Sequence, residues 1–315
     1  DKRLLQVASV VGKDVTLVLL QAIADLPDEA LRRGLDHLQA AEFLYETGLY
    51  PDLAYSFKHA LTHDVTYGAL LQDRRKALHA RVVGAIERSY PDRLTEHVER
   101  LAHHAVQAEA WEMALTYLRQ AGVKALARSA IREAVTCFER ALTALGHLPE
   151  TRETLEQAID LRFGLRTALV PLGEFERIFS YLREAEGLAR TLDDQRRLGE
   201  MSVHMCHNLW MTGHPTEALT FGQNAQAIAE SLGDVPLQVM GNLQLGAACM
   251  WMGDYRRAED LLLQVLQLLE RDLSRERFDL ARFPAVMVRS YLTLISAWQG
   301  KFTEGISHGQ EGIRL

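Results

Sequence analysis

A glycine followed two residues later by an aromatic (a proline at 215), and five residues later by a small side chain (an isoleucine at 178), recurs along the second half of the chain. The segments are Gly173-Glu174-Phe175…Ile178, Gly213-His214-Pro215…Ala218, Gly253-Asp254-Tyr255…Ala258 and Gly300-Lys301-Phe302…Gly305. Two looser versions precede them, Ala110-Trp111…Ala114 and Ser129-Ala130-Ile131…Ala134. Seven residues after each small position stand Ala121, Ala141, Ala185, Ala225, Val265 and Gly312, all small except Val265. The glycine suits a left-handed residue that ends one helix. The aromatic plugs the turn. Small residues at i and i+7 share a helix face and let a second helix approach closely.

Around these turns the chain is rich in strong helix formers, with only eight prolines. Apolar residues recur at i, i+3, i+4 and i+7, the period of amphipathic helices. Helical hairpins repeating at such intervals stack, each burying its face only against its neighbours. This pattern resembles tetratricopeptide repeats, whose first helices line a concave groove. The periods from Gly213 to Gly253 and on to Gly300 are 40 and 47 residues, against about 34 in the usual repeat. Longer helices or longer connections must absorb the excess.

The first part reads differently. Helical patterns at about 2–11, 14–25 and 28–40 lead to two short aromatic-rich runs, 42–47 and 52–57. The turn Gly48-Leu49-Tyr50-Pro51 separates them, which predicts a β-hairpin. Helical patterns resume at 58–72 and 73–90, and Pro91 closes the last. Three helices followed by a hairpin is the order of a winged-helix domain. The expected fold is therefore mainly α: a winged-helix domain over 1–93, then a tetratricopeptide-like α-solenoid of about six repeats over 94–315.

Taken with the repeats, the segments Ala8-Ser9-Val10-Val11-Gly12 and Tyr55-Ser56-Phe57-Lys58-His59-Ala60-Leu61, with Tyr67, Arg75, Leu78 and His79, resemble a bacterial family. These are the STAND-type signalling ATPases, often fused to class III adenylate/guanylate cyclase domains. The resemblance implies a nucleotide-binding domain upstream of the winged helix, which would be a partner within the same full-length chain. Gly12-Lys13 is no P-loop: Val7 stands where the first glycine belongs and Asp14 where Ser or Thr should hold magnesium. The ends, at Asp1 and inside the helical pattern at Leu315, suggest a fragment of a longer protein, with the C-terminal repeat open to homodimer formation.

Composition narrows the function classes. The net charge of −7 disfavours a general binder of nucleic acid or anionic membrane. No apolar run is long enough to span a bilayer, and three cysteines give no disulfide framework, so a cytoplasmic location is expected. Arg74, Arg75, Lys76, Arg81, Arg88 and Arg93 form a basic run, which keeps a winged-helix DNA-binding regulator as the rival reading. Residues 1–95 nonetheless carry 13 acidic against 12 basic side chains, and the helix at 28–40 sets Asp28, Glu29 and Asp36 beside Arg32 and Arg33.

Three clusters could suggest chemistry. His59 and His63 have zinc-like spacing but lack the HExxH glutamate. His204, Cys206, His207 and His214 are dense in ligand-type atoms, yet Cys206 falls at a small core position. Glu99 and His103 read as a solvated pair on one helix, with His104 beside them. No catalytic, cofactor-binding or metal-binding residue is assigned, and no enzyme activity or cofactor is expected. Alignment on the glycines places Trp210 and Met211, Met250 and Trp251, and Trp298 at equivalent points, with Met240 and Met287 at another. Tryptophan and methionine in such places suit a groove that grips a partner peptide or protein. The bland alternative is that they pack one repeat on the next.

Overall fold

The computed structural model describes residues 1–48, 53–269 and 283–315. The chain divides into two compact units, 1–150 and 151–315. The proposed edge at 93 falls within the first.

The first unit opens with α1 (Lys2–Val11), β1 (Asp14–Thr16), α2 (Leu17–Ile23), α3 (Asp28–Ala40), β2 (Leu44–Gly48) and β3 (Ala54–Phe57). The strands form an antiparallel sheet in the order β1-β3-β2, with Val15 opposite Tyr55 and Tyr45 opposite Ser56. The helical pattern expected over 14–25 is thus a strand and then a helix. Three residues are too few for a period to reveal; Ser56 in β3 donates to the Asp14 carboxylate at 2.9 Å and helps tie β1 into the sheet. The expected hairpin is present, while its turn at 49–51 lies outside the described residues.

α4 (Ala60–Gly68), α5 (Gln72–Ser89), α6 (Val98–Gln107), α7 (Trp111–Ala127) and α8 (Ile131–Leu145) complete this unit. α1 packs against α2, α3, α4 and α5, and α5 leads on to α6. His79 of α5 and His104 of α6 are buried with their Nδ1 atoms 2.8 Å apart, and the Tyr67 hydroxyl lies 2.9 Å from His79 Nε2. Burial pushes His79 down to about 4 and His104 to about 2, so both rings are neutral and one nitrogen donates to the other. Glu99 pairs with Lys124 at 2.8 Å rather than with His103. His63 is likewise committed to packing, its Nε2 lying 2.9 Å from the Ser9 carbonyl and its Nδ1 3.0 Å from Asp64. Most of the basic run is also tied locally: Arg75 donates to the carbonyls of Gly68 and Leu70, Lys76 pairs with Glu109, Arg81 with Asp25 and Arg93 with Glu96. By contrast α4 buries none of its residues and exposes Leu61 and Val65.

The second unit alternates α9 (Arg152–Leu169), α10 (Phe175–Thr191), α11 (Gln195–Met211), α12 (Pro215–Leu232), α13 (Val235–Trp251), α14 (Tyr255–Leu269), α15 (Pro284–Trp298) and α16 (Phe302–Arg314). The 40-residue period is filled by two helices of 17 and 18 residues with connections of three and two. The longer one includes 270–282, outside the described residues.

Every recurrent glycine adopts the left-handed conformation, with φ of 70° at Gly173, 83° at Gly213, 81° at Gly253 and 75° at Gly300. The same double hydrogen bond follows each time. At Gly213, the His214 amide donates to the Leu209 carbonyl at 2.8 Å and the Gly213 amide to Trp210; at Gly253, Asp254 donates to Cys249 and Gly253 to Met250. This is the Schellman closure, which satisfies carbonyls left open at a helix end. The looser segments make it too, with Glu109 (φ 55°) and Ser129 (φ 60°) in the glycine's place. Those two turns share α7, so they are successive turns rather than turns of separate hairpins. The residues beneath them, Ala114, Ala134, Ala218 and Ala258, are wholly buried, and Ile178 is buried like its small counterparts.

Ser129 is exposed and holds a conformation unfavourable to any residue with a Cβ. Ser129→Gly is expected to raise stability by about 0.5–1 kcal/mol, and Gly213→Ala to lower it by about 1 kcal/mol or more, both read from urea unfolding midpoints.

Candidate functional site

The site lies in the second unit, at the C-terminal ends of α11, α13 and α15. Because the same turn closes each helix, Trp210, Trp251 and Trp298 arrive at neighbouring places. Their rings form a ladder across three successive hairpins. Trp210 and Trp251 stack with centroids 6.3 Å apart at 19°, and Trp251 meets Trp298 at 6.1 Å and 59°. Tyr255, the turn aromatic of the middle hairpin, closes the far side at 5.7 Å from Trp298. The Trp210 Nε1–H donates to the Gln244 amide oxygen of α13 at 3.1 Å, fixing the first rung. Trp251 remains 55% exposed and Trp298 47%, and Met211 is exposed beside them. These indoles pack from hairpin to hairpin and also face water.

The predicted methionines divide. Met250 is 1% exposed and Met240 9%, both in core clusters, and Met287 packs against the edge of the same core as Met250. In this conformation Met240 and Met250 offer no surface to a partner. The reason is legible in α13, whose 17 residues include no Asp, Glu, Lys or Arg. A helix without a charged face is readily enclosed, and α13 packs against α11, α12, α14 and α15. Exposed Met252 beside the ladder escaped the sequence reading.

Beyond Trp210 the ladder continues into a polar group. His207 lies edge-on to Trp210 at 5.2 Å. The Arg166 guanidinium of α9 donates through Nη2 to His207 Nδ1 at 3.0 Å. That bond needs Nδ1 as an acceptor, so His207 is neutral with its proton on Nε2. Burial first, and then the Arg166 charge, push His207 down to about 3 and hold His204 well below the usual histidine range. His204 meets Phe163 edge-on at 5.0 Å, and its Nδ1 has no hydrogen-bond partner. Cys206 is fully buried and burial raises its thiol to about 12, so it stays protonated and packs as a small hydrophobe. His214 is exposed and lies 3.3 Å from the Thr212 hydroxyl. Among the described residues no group of three or more His, Cys, Asp or Glu side chains could hold a metal ion.

A separate cleft of about 280 Å³ opens between α12, α13 and α14, lined by Gln226, Glu230, Gln238, Asn242, Gln264 and Gln267. It is walled mainly by amide side chains, and the Asn242 Oδ1 within it is buried without a hydrogen-bond partner.

No family model matches the chain. An uncharacterised protein of Rhizobium meliloti (strain 1021) is 27% identical over 281 residues, which cover 85% of this chain and 26% of the relative. The chain thus spans about a quarter of that relative's length. Among solved structures, a Rap protein complexed with Competence and Sporulation Factor matches with a TM-score of 0.56 at 16% identity, over 80% of this chain and 68% of its own. NprR in complex with its cognate peptide NprX matches with a TM-score of 0.52 at 14% identity, over 94% and 75%. BtubC from P. vanneervenii matches with a TM-score of 0.52 at 14% identity, over 78% and 91%. At these identities the likeness concerns the fold, that of the tetratricopeptide-like α-solenoids. No helix among the described residues is long and apolar enough to cross a membrane.

Unfolded, a histidine titrates near about 6.5. The depressed native value of His207 therefore contributes stability that is complete above that pH and lost as pH falls toward 3. Lowering the pH from neutral to about 5 is expected to cost about 1–2 kcal/mol through this residue. Urea midpoints at both pH values, for wild type and for His207→Gln, should show a shallower pH dependence in the variant.

Proposed function

We propose that the chain is a non-catalytic, regulatory protein–protein interaction module, and that it binds a peptide or an extended protein segment against the tryptophan ladder. One observation carries the reading: three indoles on three hairpins form a continuous surface, and two of them, Trp251 and Trp298, are about half open to water. Aromatic side chains of this kind bury large area at low entropic cost, and they dominate the energy of small interfaces. The NprR match, solved with its cognate peptide, supports the same use of a similar fold.

The wider context follows the same line. A relative about four times the matched length is consistent with a module inside a multidomain protein, and the STAND-type signalling ATPases, with or without a cyclase domain, are the context proposed here. In it, residues 1–93 act as a winged-helix domain and 94–315 as repeats. The helix–strand–helix–helix–strand–strand order of the first unit supports this assignment. The exposed Leu61 and Val65 of α4 offer a surface for an upstream nucleotide-binding domain. DNA binding is disfavoured, since much of the basic run is paired within the first unit. The setting proposed is cytoplasmic.

The test is affinity selection of a random hexapeptide pool by the full chain, with Trp251→Ala/Trp298→Ala alongside. Both indoles are half exposed, so the double variant should unfold within about 2 kcal/mol of wild type while retaining at least tenfold less peptide, about 1.4 kcal/mol of binding. Equal retention by a folded double variant would remove the ladder from the interface.

A further inference from the structure

Arg166 is the one arginine among the described residues whose side chain is buried, at 7% exposure. Among the described residues no carboxylate forms an ion pair with it. Its neighbours in sequence and space behave otherwise. Arg162, one turn earlier on α9, pairs with Glu184 at 2.7 Å, and Arg197 of α11 is held by Asp194 at 2.7 Å and Asp160 at 3.1 Å. A guanidinium carries five donors and no acceptor. Here Nη2 reaches His207, while Nε is buried with no partner at all. Close by, the buried Nδ1 of His204 is also unpartnered. A histidine ring is neutral or cationic, so neither of these two supplies the missing negative charge. Burying a cation without a counter-charge is destabilising, and a fold tolerates it where something else provides the anion.

We propose that Arg166 is the seat of a carboxylate carried by the bound peptide, and that the neutral walls of His204 and His207 leave its charge free for that purpose. The proposal rests on the peptide-binding reading and adds the chemistry of the ligand. Planar two-pronged recognition of a carboxylate is what a guanidinium does best. The chain of contacts from Arg166 through His207 and Trp210 to Trp251 and Trp298 then orders the ligand. Its carboxylate lies at the α9 end and its apolar side chains run along the indoles. Burial brings the guanidinium down to about 10, still fully charged at neutral pH, so the site is cationic when a ligand arrives.

The experiment offers the full chain three hexapeptide pools at neutral pH. The first is free of Asp and Glu and has a free C-terminal carboxylate, the second is the same pool amidated at the C-terminus, and the third is amidated but carries one Glu. Retention of the first or the third pool at least about tenfold above the second is the expected result, and which of the two is retained identifies the carboxylate as terminal or side-chain. Arg166→Gln, which keeps a donor toward His207 and removes the charge, should abolish that preference without lowering the melting midpoint. Equal retention of all three pools by the wild type would overturn the carboxylate assignment and leave peptide binding standing; this comparison needs no variant. Retention of none would overturn peptide binding and the assignment together. A retained preference in Arg166→Gln would place the carboxylate elsewhere.

Discussion

The closure of each helix by a left-handed residue is the constraint on which the rest depends. It turns the chain sharply, satisfies two carbonyls of the outgoing helix and starts the next helix two residues later. The alanines that follow are wholly buried, which lets the helices approach closely enough to share a core. Capping at the other turns supports the same geometry. Asp194 and Asp234 accept from the amides of Arg197 and Leu237 at 3.0 Å each, so α11 and α13 begin in equivalent ways.

The ladder is a consequence of that repetition. An indole near the end of one first helix has no reason to meet another unless the turns coincide. Here they do: Trp210 stacks on Trp251, Trp251 meets Trp298 at a tilt, and Trp251 and Trp298 stay about half open to water. His207, held by Arg166, stands at the Trp210 end of the ladder. A row of apolar faces beside an uncompensated cation has a direction, and a ligand lying along it would have one too. That asymmetry distinguishes the site from the amide-lined cleft between α12, α13 and α14.

Much of this was legible in the sequence. The glycines at 173, 213, 253 and 300 announced the turns because no other residue enters the left-handed region so cheaply. Glu109 and Ser129 hold the same conformation under a side chain that does not advertise it, and the turns around them were accordingly the harder ones to place. β1 was hidden by its length. The tryptophans could be aligned, but their mutual stacking could not, because ring-to-ring distance depends on how the hairpins rotate on one another. Met240 and Met250 aligned equally well and are core, since the enclosure of α13 depends on all of its neighbours. The absence of charge from 235 to 251 was the available signal. Arg166 gave none: a missing counter-charge is a fact of three dimensions.

The central claim is that ligand binding occurs on the ladder. Hydrogen–deuterium exchange of the full chain, with and without a hexapeptide recovered by selection, tests it most directly. New protection is expected to concentrate around 207–214, 250–255 and 297–302, the ends of α11, α13 and α15 with their turns. Protection confined to the cleft between α12 and α14, or to the first unit, would contradict it.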